Sequence, residues 1–275
     1  MDFLKQSARS LGIKHLYKYR AFDPSNTQFV ETIFKKNELY FPSPSGLNDP
    51  FECQFRLSVG DLNDLEYQSR HRHWAYGTQK HLPPVKTAEE FFKHYSTFTQ
   101  KEHAEIAQYT RDECYIRFNS KWGIFSLSSE PENVLMWAHY ANNHRGFCLE
   151  FDTSNDYFGR AWKVEYVDKI KERDIVDFNE SDAFKILLTK TNDWRYESEY
   201  RVLANWKDDV PGLPILSEQR VSNFPVDALS SVIFGVRMSD DDITIVRGWL
   251  GEEHKNIKLK KVHLDKDGSL FIEEI

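Results

Sequence analysis

At 275 residues, with 40% hydrophobic and 15% aromatic residues against 29% charged, the chain has apolar surface enough for a substantial core, which excludes a disulfide- or metal-dependent miniature fold and intrinsic disorder. A formal net charge of −7 and a pI near 5.8 disfavour broad, sequence-independent binding to nucleic acid, which needs a concentrated basic surface. Cys53, Cys114 and Cys148 are odd in number and widely spaced, so they point to inert thiols in a reducing compartment rather than a disulfide framework or a zinc site.

Met1-Asp2-Phe3-Leu4-Lys5-Gln6 lacks the basic-then-apolar order of a signal peptide, and no apolar run approaches about 18 residues; a cytoplasmic protein without a membrane span is expected. The first dozen residues read as a short helix. Residues 13–22 follow as a strand, where Leu16, Tyr17 and Tyr19 suit extended structure and Arg20 sits at the end. Asp23-Pro24-Ser25-Asn26 is turn chemistry with an N-cap, after which Phe29, Ile33 and Phe34 recur at helical spacing. Residues 38–41 form a second strand, broken by Pro42-Ser43-Pro44-Ser45-Gly46. Asn48 to Glu52 is then a polar loop, and 53–57 continues as strand or helix. From about residue 60 to 120 the pattern is charged, aromatic and mostly helical, with an interruption at Pro83-Pro84, which predicts a helical insertion or lid.

Residues 122–128 and 147–151 read as buried strands on either side of a short helix at 131–141, where Val134, Leu135, Trp137 and Ala138 fall. Residues 164–167 are extended, 183–191 helical, and 200–204 a strand into which Glu197 and Glu199 lead. The last quarter supplies a strand at 231–234, an amphipathic helix at 240–250 and strands at 257–264 and 269–272. Strands outnumber simple βαβ alternations, so the expected fold class is α+β. One domain over 1–275 would hold a mixed, largely antiparallel sheet flanked by helices, with 60–120 inserted in it.

Four segments carry a family resemblance: Leu16-Tyr17-Lys18-Tyr19-Arg20; Leu47-Asn48-Asp49-Pro50-Phe51-Glu52; Met136-Trp137-Ala138-His139-Tyr140 through His144-Arg145-Gly146; and Trp194-Arg195-Tyr196-Glu197-Ser198-Glu199-Tyr200-Arg201. In this order they resemble the hallmarks of the bacterial domain-of-unknown-function family 2971. That family implies no activity, so chemistry has to come from the residues.

In the last segment, a strand would put Glu197, Glu199 and Arg201 on one face, either as a solvated, salt-bridged surface or as paired carboxylates that polarise a hydroxyl or stabilise a cation. The Glu-x-Glu pair is similar to the glutamate motif of ADP-ribosyltransferases that use NAD, which is preceded by an Arg on an early strand and a Ser-containing strand. Arg20, Phe125-Ser126-Leu127-Ser128 and Glu197-x-Glu199 occur here in that order, although Leu127 replaces the middle Thr of the usual Ser-Thr-Ser pattern. The resemblance implies that Arg20 holds NAD phosphates or ribose, that Ser126 supports the nicotinamide pocket, and that Glu199 stabilises the oxocarbenium-like ribose while Glu197 orients or deprotonates an acceptor. Tyr17 and Arg201 fall in the same segments and are assigned to the cofactor site.

His139 and His144 are five apart and would not stack on one helix face, so metal binding would need a carboxylate from elsewhere, such as Asp49 or Glu52. Hydrogen bonding to a ligand is the expected use, with His139 in the catalytic set and His144 in the binding set, and no metal site is assigned. Asn48-Asp49-Pro50 is either a structural turn or a loop that aims Asn48 and Asp49 at the same cleft. No Walker loop, Gly-rich dinucleotide fingerprint, Gly-x-Ser-x-Gly elbow or Cys-x-x-Cys pair is present. The expected activity is therefore ADP-ribosyltransferase-like, consuming NAD and passing ADP-ribose to an unidentified protein or nucleic-acid acceptor, as a toxin or defence effector would. A His/Asp/Glu-based hydrolase or nuclease and a non-catalytic nucleotide sensor are the alternatives.

Overall fold

The computed structural model describes residues 3–78, 88–206 and 212–275, so the expected break at Pro83-Pro84 and the first two residues lie outside the described residues. The chain opens with a 3-10 turn, Phe3–Gln6, in place of the expected helix of a dozen residues. Ser7 and Ser10 hydrogen-bond to each other and to local backbone, which favours turns over helix there.

Next come strand β1 (His15–Arg20), helix α1 (Gln28–Lys35), strand β2 (Glu38–Tyr40) and, after a polar loop, strand β3 (Arg56–Ser58). Within the region expected to be a helical insertion lie α2 (Leu65–Thr78), α3 (Ala88–Tyr95) and α4 (Gln100–Lys121). Thr99 and Glu102 form a capping box that starts α4.

Strand β4 (Trp122–Ser128), helix α5 (Val134–Tyr140) and strand β5 (Phe147–Asp152) follow as expected, then a short helix α6 (Asp156–Gly159) and short strands β6 (Trp162–Lys163), β7 (Glu165–Val167) and β8 (Glu172–Asp174). The predicted helix at 183–191 is shifted: α7 spans Glu180–Ile186, capped by Asn179, and Thr189–Thr191 forms strand β9. The two threonines favour a strand, and β9 finds a parallel partner in β7. Strand β10 (Glu199–Asn205), β11 (Val221–Asn223), β12 (Leu229–Phe234), helix α8 (Asp240–Arg247), β13 (Lys258–Leu264) and β14 (Leu270–Glu274) complete the order.

Eight strands form one sheet in the order β14-β13-β12-β5-β1-β4-β10-β6. Its neighbours are antiparallel except β12 and β13, which are parallel. The architecture is α+β, as composition and pattern predicted. One face carries Leu16, Phe125, Leu127, Phe147, Phe151 and Val232 into the main core, against Phe34 of α1 and Val246 of α8. The opposite face carries Tyr19, Cys148 and Ile233 under Trp137 of α5. The insertion packs through α4, where Ala107 and Phe118 meet Phe55 and Leu57 beside β3.

Pairing along the sheet is uneven. Strands β1 and β5 share six register pairs and β4 and β10 share seven, whereas β1 and β4 meet at Tyr17↔Ser128 and then part. The Lys18 amine bridges the parting, donating to the Ser126 carbonyl at 2.7 Å. This opening in the sheet creates the candidate site.

Candidate functional site

A cavity of about 170 Å³ lies where β1 and β4 separate. Its walls come from distant parts of the chain: Tyr17 and Lys18 on β1, Asn48 in the polar loop, Ser126 on β4, Tyr140 on α5, and Lys190, Glu197 and Glu199 around β9 and β10. Tyr17, Ser128, Ser126, Glu199 and Arg201 share one sheet face by register, so the alternation of β4 and β10 presents hydroxyls and charges to the same side.

Beneath the cavity lies a buried ionic network. Lys190, the inward residue of β9, is 3% exposed, and its amine lies 2.6 Å from Glu197, 3.3 Å from Glu199 and 3.5 Å from Glu52. Arg201 is fully buried and grips Glu199 with two parallel bonds, Nε to Oε1 at 2.8 Å and Nη2 to Oε2 at 2.9 Å. Its Nη1 donates to the Leu187 carbonyl at 2.6 Å, and Nη2 is in ion-pair contact with Glu52. Such bidentate pairing keeps buried charges together where separated ones would be expensive.

Burial pushes the Glu199 carboxyl pKa up, and Glu197 adds to this, while Lys190 and hydrogen bonds from Ser126 and Lys190 pull it down. Burial likewise works against the Lys190 charge, but Glu199 and Glu197 outweigh it and the pKa is raised. Arg201 is pulled down by burial to about 9, which leaves it cationic at neutral pH. Burial and Glu197 prevail, so the Glu199 pKa is raised on balance, and the carboxyl is fixed in position by donors from Arg201 and Lys190 inside a water-poor site.

Tyr140 completes the cluster. Its hydroxyl donates to Glu197 Oε1 at 2.5 Å and accepts from Asn48 Nδ2 at 2.8 Å. Burial, then the bond to Glu197, raises the Tyr140 pKa, which fixes it as a proton donor. Met136 and Tyr140 are four apart on α5 and both reach the cavity, whereas His139 points to a neighbouring face.

Of the sequence-predicted residues, Tyr17, Asn48, Ser126, Glu197 and Glu199 line this cavity, and Arg201 supports Glu199 from behind. Glu197 does not lie on the strand as expected: it ends a 3-10 turn, Asn192–Glu197, and Ser198 is left-handed with φ 45°. The turn still aims both carboxylates at Lys190. Asp49 is not in the cavity wall; its Oδ1 accepts from the Phe51 amide at 2.9 Å, which shapes the loop that presents Asn48. The His139 ring bonds the Tyr196 hydroxyl at 3.0 Å, and His144, left-handed with φ 69°, stands in the turn after α5 with Nδ1 buried and unpartnered. Neither His lines the cavity.

Arg20 lies two residues beyond Lys18, its guanidinium over the Phe125 ring and its Nε buried without a partner. It is not part of the cavity wall. Sequence reasoning missed Lys18, Lys190 and the polar use of Tyr140. Lys18 had a signal, a charge set between aromatic residues inside a strand; Lys190 was hidden within a predicted helix.

Among the described residues no three His, Cys, Asp or Glu side chains are placed to hold a metal ion. Lys190 and Arg201 occupy the positions between Glu52, Glu197 and Glu199. A larger cavity of about 550 Å³ opens elsewhere, near His15, Glu150, Asp227 and Lys260, but none of the sequence-predicted residues lines it.

Residues 136–202 match the model of a family described as a protein of unknown function, DUF2971. The resemblance read from the sequence holds over that segment. The matched DUF2971 segment contains Tyr140, Lys190, Glu197, Glu199 and Arg201, and so most of the charged floor of the cavity. No curated protein and no solved structure matches the chain. Among the described residues, no helix is long and apolar enough to cross a membrane.

Proposed function

We propose that the cavity receives the nicotinamide-ribosyl end of NAD and that the protein transfers ADP-ribose to an acceptor. The observation that supports this most is the convergence on one cavity of Tyr17, Asn48, Ser126, Glu197 and Glu199, which are scattered over 183 positions of sequence. A cavity of about 170 Å³ is small beside the roughly 300–1,000 Å³ of ordinary ligand sites, so it takes one end of a dinucleotide and leaves the remainder along its mouth.

In this reading the bond between the ribosyl carbon and nicotinamide breaks, and nicotinamide leaves with the electron pair. Positive charge develops on the ribose. Glu199, held in place by Arg201 and Lys190, acts as the carboxylate that stabilises that charge without having to reorganise. Glu197 takes the proton of the acceptor nucleophile as the new bond forms, with Tyr140 and Lys190 holding its two oxygens in place.

The hydrolase alternative has less support in the geometry: His139 is engaged by Tyr196, His144 lies in the turn after α5, and Asp49 is used by its loop. Kinetics separate the roles. Glu199→Gln is expected to cost on the order of 100-fold in nicotinamide release while NAD binding persists. Arg20→Ala is expected to weaken NAD binding instead. Because Glu199 is paired to Arg201 in the interior, each variant is first checked for a folded circular-dichroism spectrum. Undiminished turnover in folded Glu199→Gln would remove its assigned role.

A further inference from the structure

The cations around the cavity fall into two groups. Lys190 and Arg201 are matched by Glu52, Glu197 and Glu199. Lys18 and Arg20 are not: among the described residues neither makes an ion pair. Both sit instead on the ring of Phe125, at 4.8 Å and 5.8 Å from its centre, and the Arg20 Nε has no hydrogen-bond partner. Lys18 lines the cavity, and its amine uses one donor on the Ser126 carbonyl, which leaves two for a ligand. Lys18 feels the field of Glu199 and Glu197 but contacts no carboxylate directly, so its two remaining donors have no anionic partner until a ligand supplies one.

We infer that Lys18 is the seat for a phosphoryl oxygen of the ligand, gripping the diphosphate directly while Arg20, which shares the Phe125 ring with it, adds positive field. The identity of the ligand rests on the NAD reading; the phosphate-binding role of Lys18 does not. The seat lies in the parting of β1 and β4, in the same cavity wall as the carboxylates that would face the ribose, so one cavity offers both a cation and carboxylates to a nicotinamide-ribosyl diphosphate.

The groups around Lys18 also give the seat a proton linkage. Burial first, and then Arg20 on the same strand and Lys190 from β9, lower its pKa to about 7, against Glu199 and Glu197, which raise it. An arriving phosphate favours the protonated amine. Lys18 therefore takes up a proton on binding, and affinity falls as pH rises above about 7.

The test is calorimetric binding to the full chain, using pyrophosphate, ADP-ribose, NAD and nicotinamide riboside as probes of wild type, Lys18→Met and Lys18→Arg. ADP-ribose carries no phosphate that titrates near neutral pH, so its pH dependence reports the protein. Wild type is expected to bind pyrophosphate and ADP-ribose, with affinity for ADP-ribose falling between about pH 6.5 and about pH 8.5. Lys18→Met is expected to lose on the order of 10- to 100-fold for both, and not for nicotinamide riboside. Lys18→Arg should keep binding while losing the pH dependence, since guanidinium does not titrate there.

Lys18-dependent binding of pyrophosphate without binding of NAD supports the seat and removes the NAD reading. Equal NAD affinity in wild type and folded Lys18→Met overturns the seat and leaves the NAD reading standing. Failure of wild type to bind any phosphate probe overturns both. If Lys18→Met does not fold, Lys18→Gln, which keeps a donor for the Ser126 carbonyl without the charge, takes its place: affinity for ADP-ribose and pyrophosphate equal to wild type overturns the seat.

Discussion

Lys18 shows what a lysine in the wall of a cavity demands of a fold. Its charge is opposed by burial and by Arg20, and its pKa lies at about 7 where an unfolded lysine stays protonated to about 10.4. The unfolded chain binds the extra proton between those values, so the penalty is complete below pH 7 and is relieved as pH rises toward 10. Lys18→Met should therefore raise the thermal midpoint most at or below pH 7, with the advantage shrinking above it. Scanning calorimetry of both proteins at about pH 6.5 and about pH 9 reads this, and a Lys18→Met protein less stable than wild type at the lower pH would show that the amine is a structural donor to Ser126 instead. Lys18 was legible in part, because a lysine between Tyr17 and Tyr19 in a strand is out of place on pattern alone. The partners of Glu52 were not: which cation meets which carboxylate depends on how the loop carrying Glu52 lies against β9 and β10, and periodicity says nothing of that.

At the scale of elements, the patterns with a strong period were readable and the short irregular pieces were not. Strands β4, β5 and β10 and helices α5 and α8 lie where apolar spacing put them. Glu197 was misplaced because a left-handed residue at Ser198 breaks the alternation, and nothing in a serine announces φ of 45°. Helix α5 brings Tyr140 to the cavity and is fixed at its start by Asn133, whose side-chain oxygen accepts from the amides of Leu135 and Met136 while its Nδ2 donates to the Tyr196 carbonyl at 2.7 Å. Asn133→Ala should cost about 1–2 kcal/mol, visible as a lower urea midpoint at unchanged slope; a loss below ~0.5 kcal/mol would mean that packing of Trp137 alone fixes the helix. In the insertion, His71 is buried beside His103 and its ring bonds the Tyr95 hydroxyl at 2.8 Å. Burial, then His103, lowers the His71 pKa to about 4. The unfolded chain takes up its proton nearer 6.5, so stability from this group is full above about pH 6.5 and is lost as pH falls toward 4. His71→Phe should flatten that acid loss when denaturant midpoints at about pH 7.5 and about pH 4.5 are compared, and an unaltered slope would assign the loss to other groups.

For the molecule as a whole, the consequential feature is an eight-stranded sheet whose two blocks, β14-β13-β12-β5-β1 and β4-β10-β6, part beyond a single register pair. The class α+β was readable from strands that outnumber simple βαβ alternations, but the parting was not, since the sequences of β1 and β4 both look like continuous strands. Through it the residues of five separated segments reach one cavity, with Lys190 and Arg201 paired to the carboxylates around it. The 60–120 region touches the same place from outside: the Ser45 amide donates to Asn119 of α4 at 2.7 Å, next to Gly46 in the cavity wall. These features together support an NAD-cleaving site, and the direct measurement is release of nicotinamide from NAD by the purified wild-type protein, alone and with cell lysate supplying acceptors. The account predicts release above the spontaneous rate that increases with lysate and is abolished in folded Glu199→Gln. Release indistinguishable from buffer under both conditions, by a protein that is folded, would contradict it.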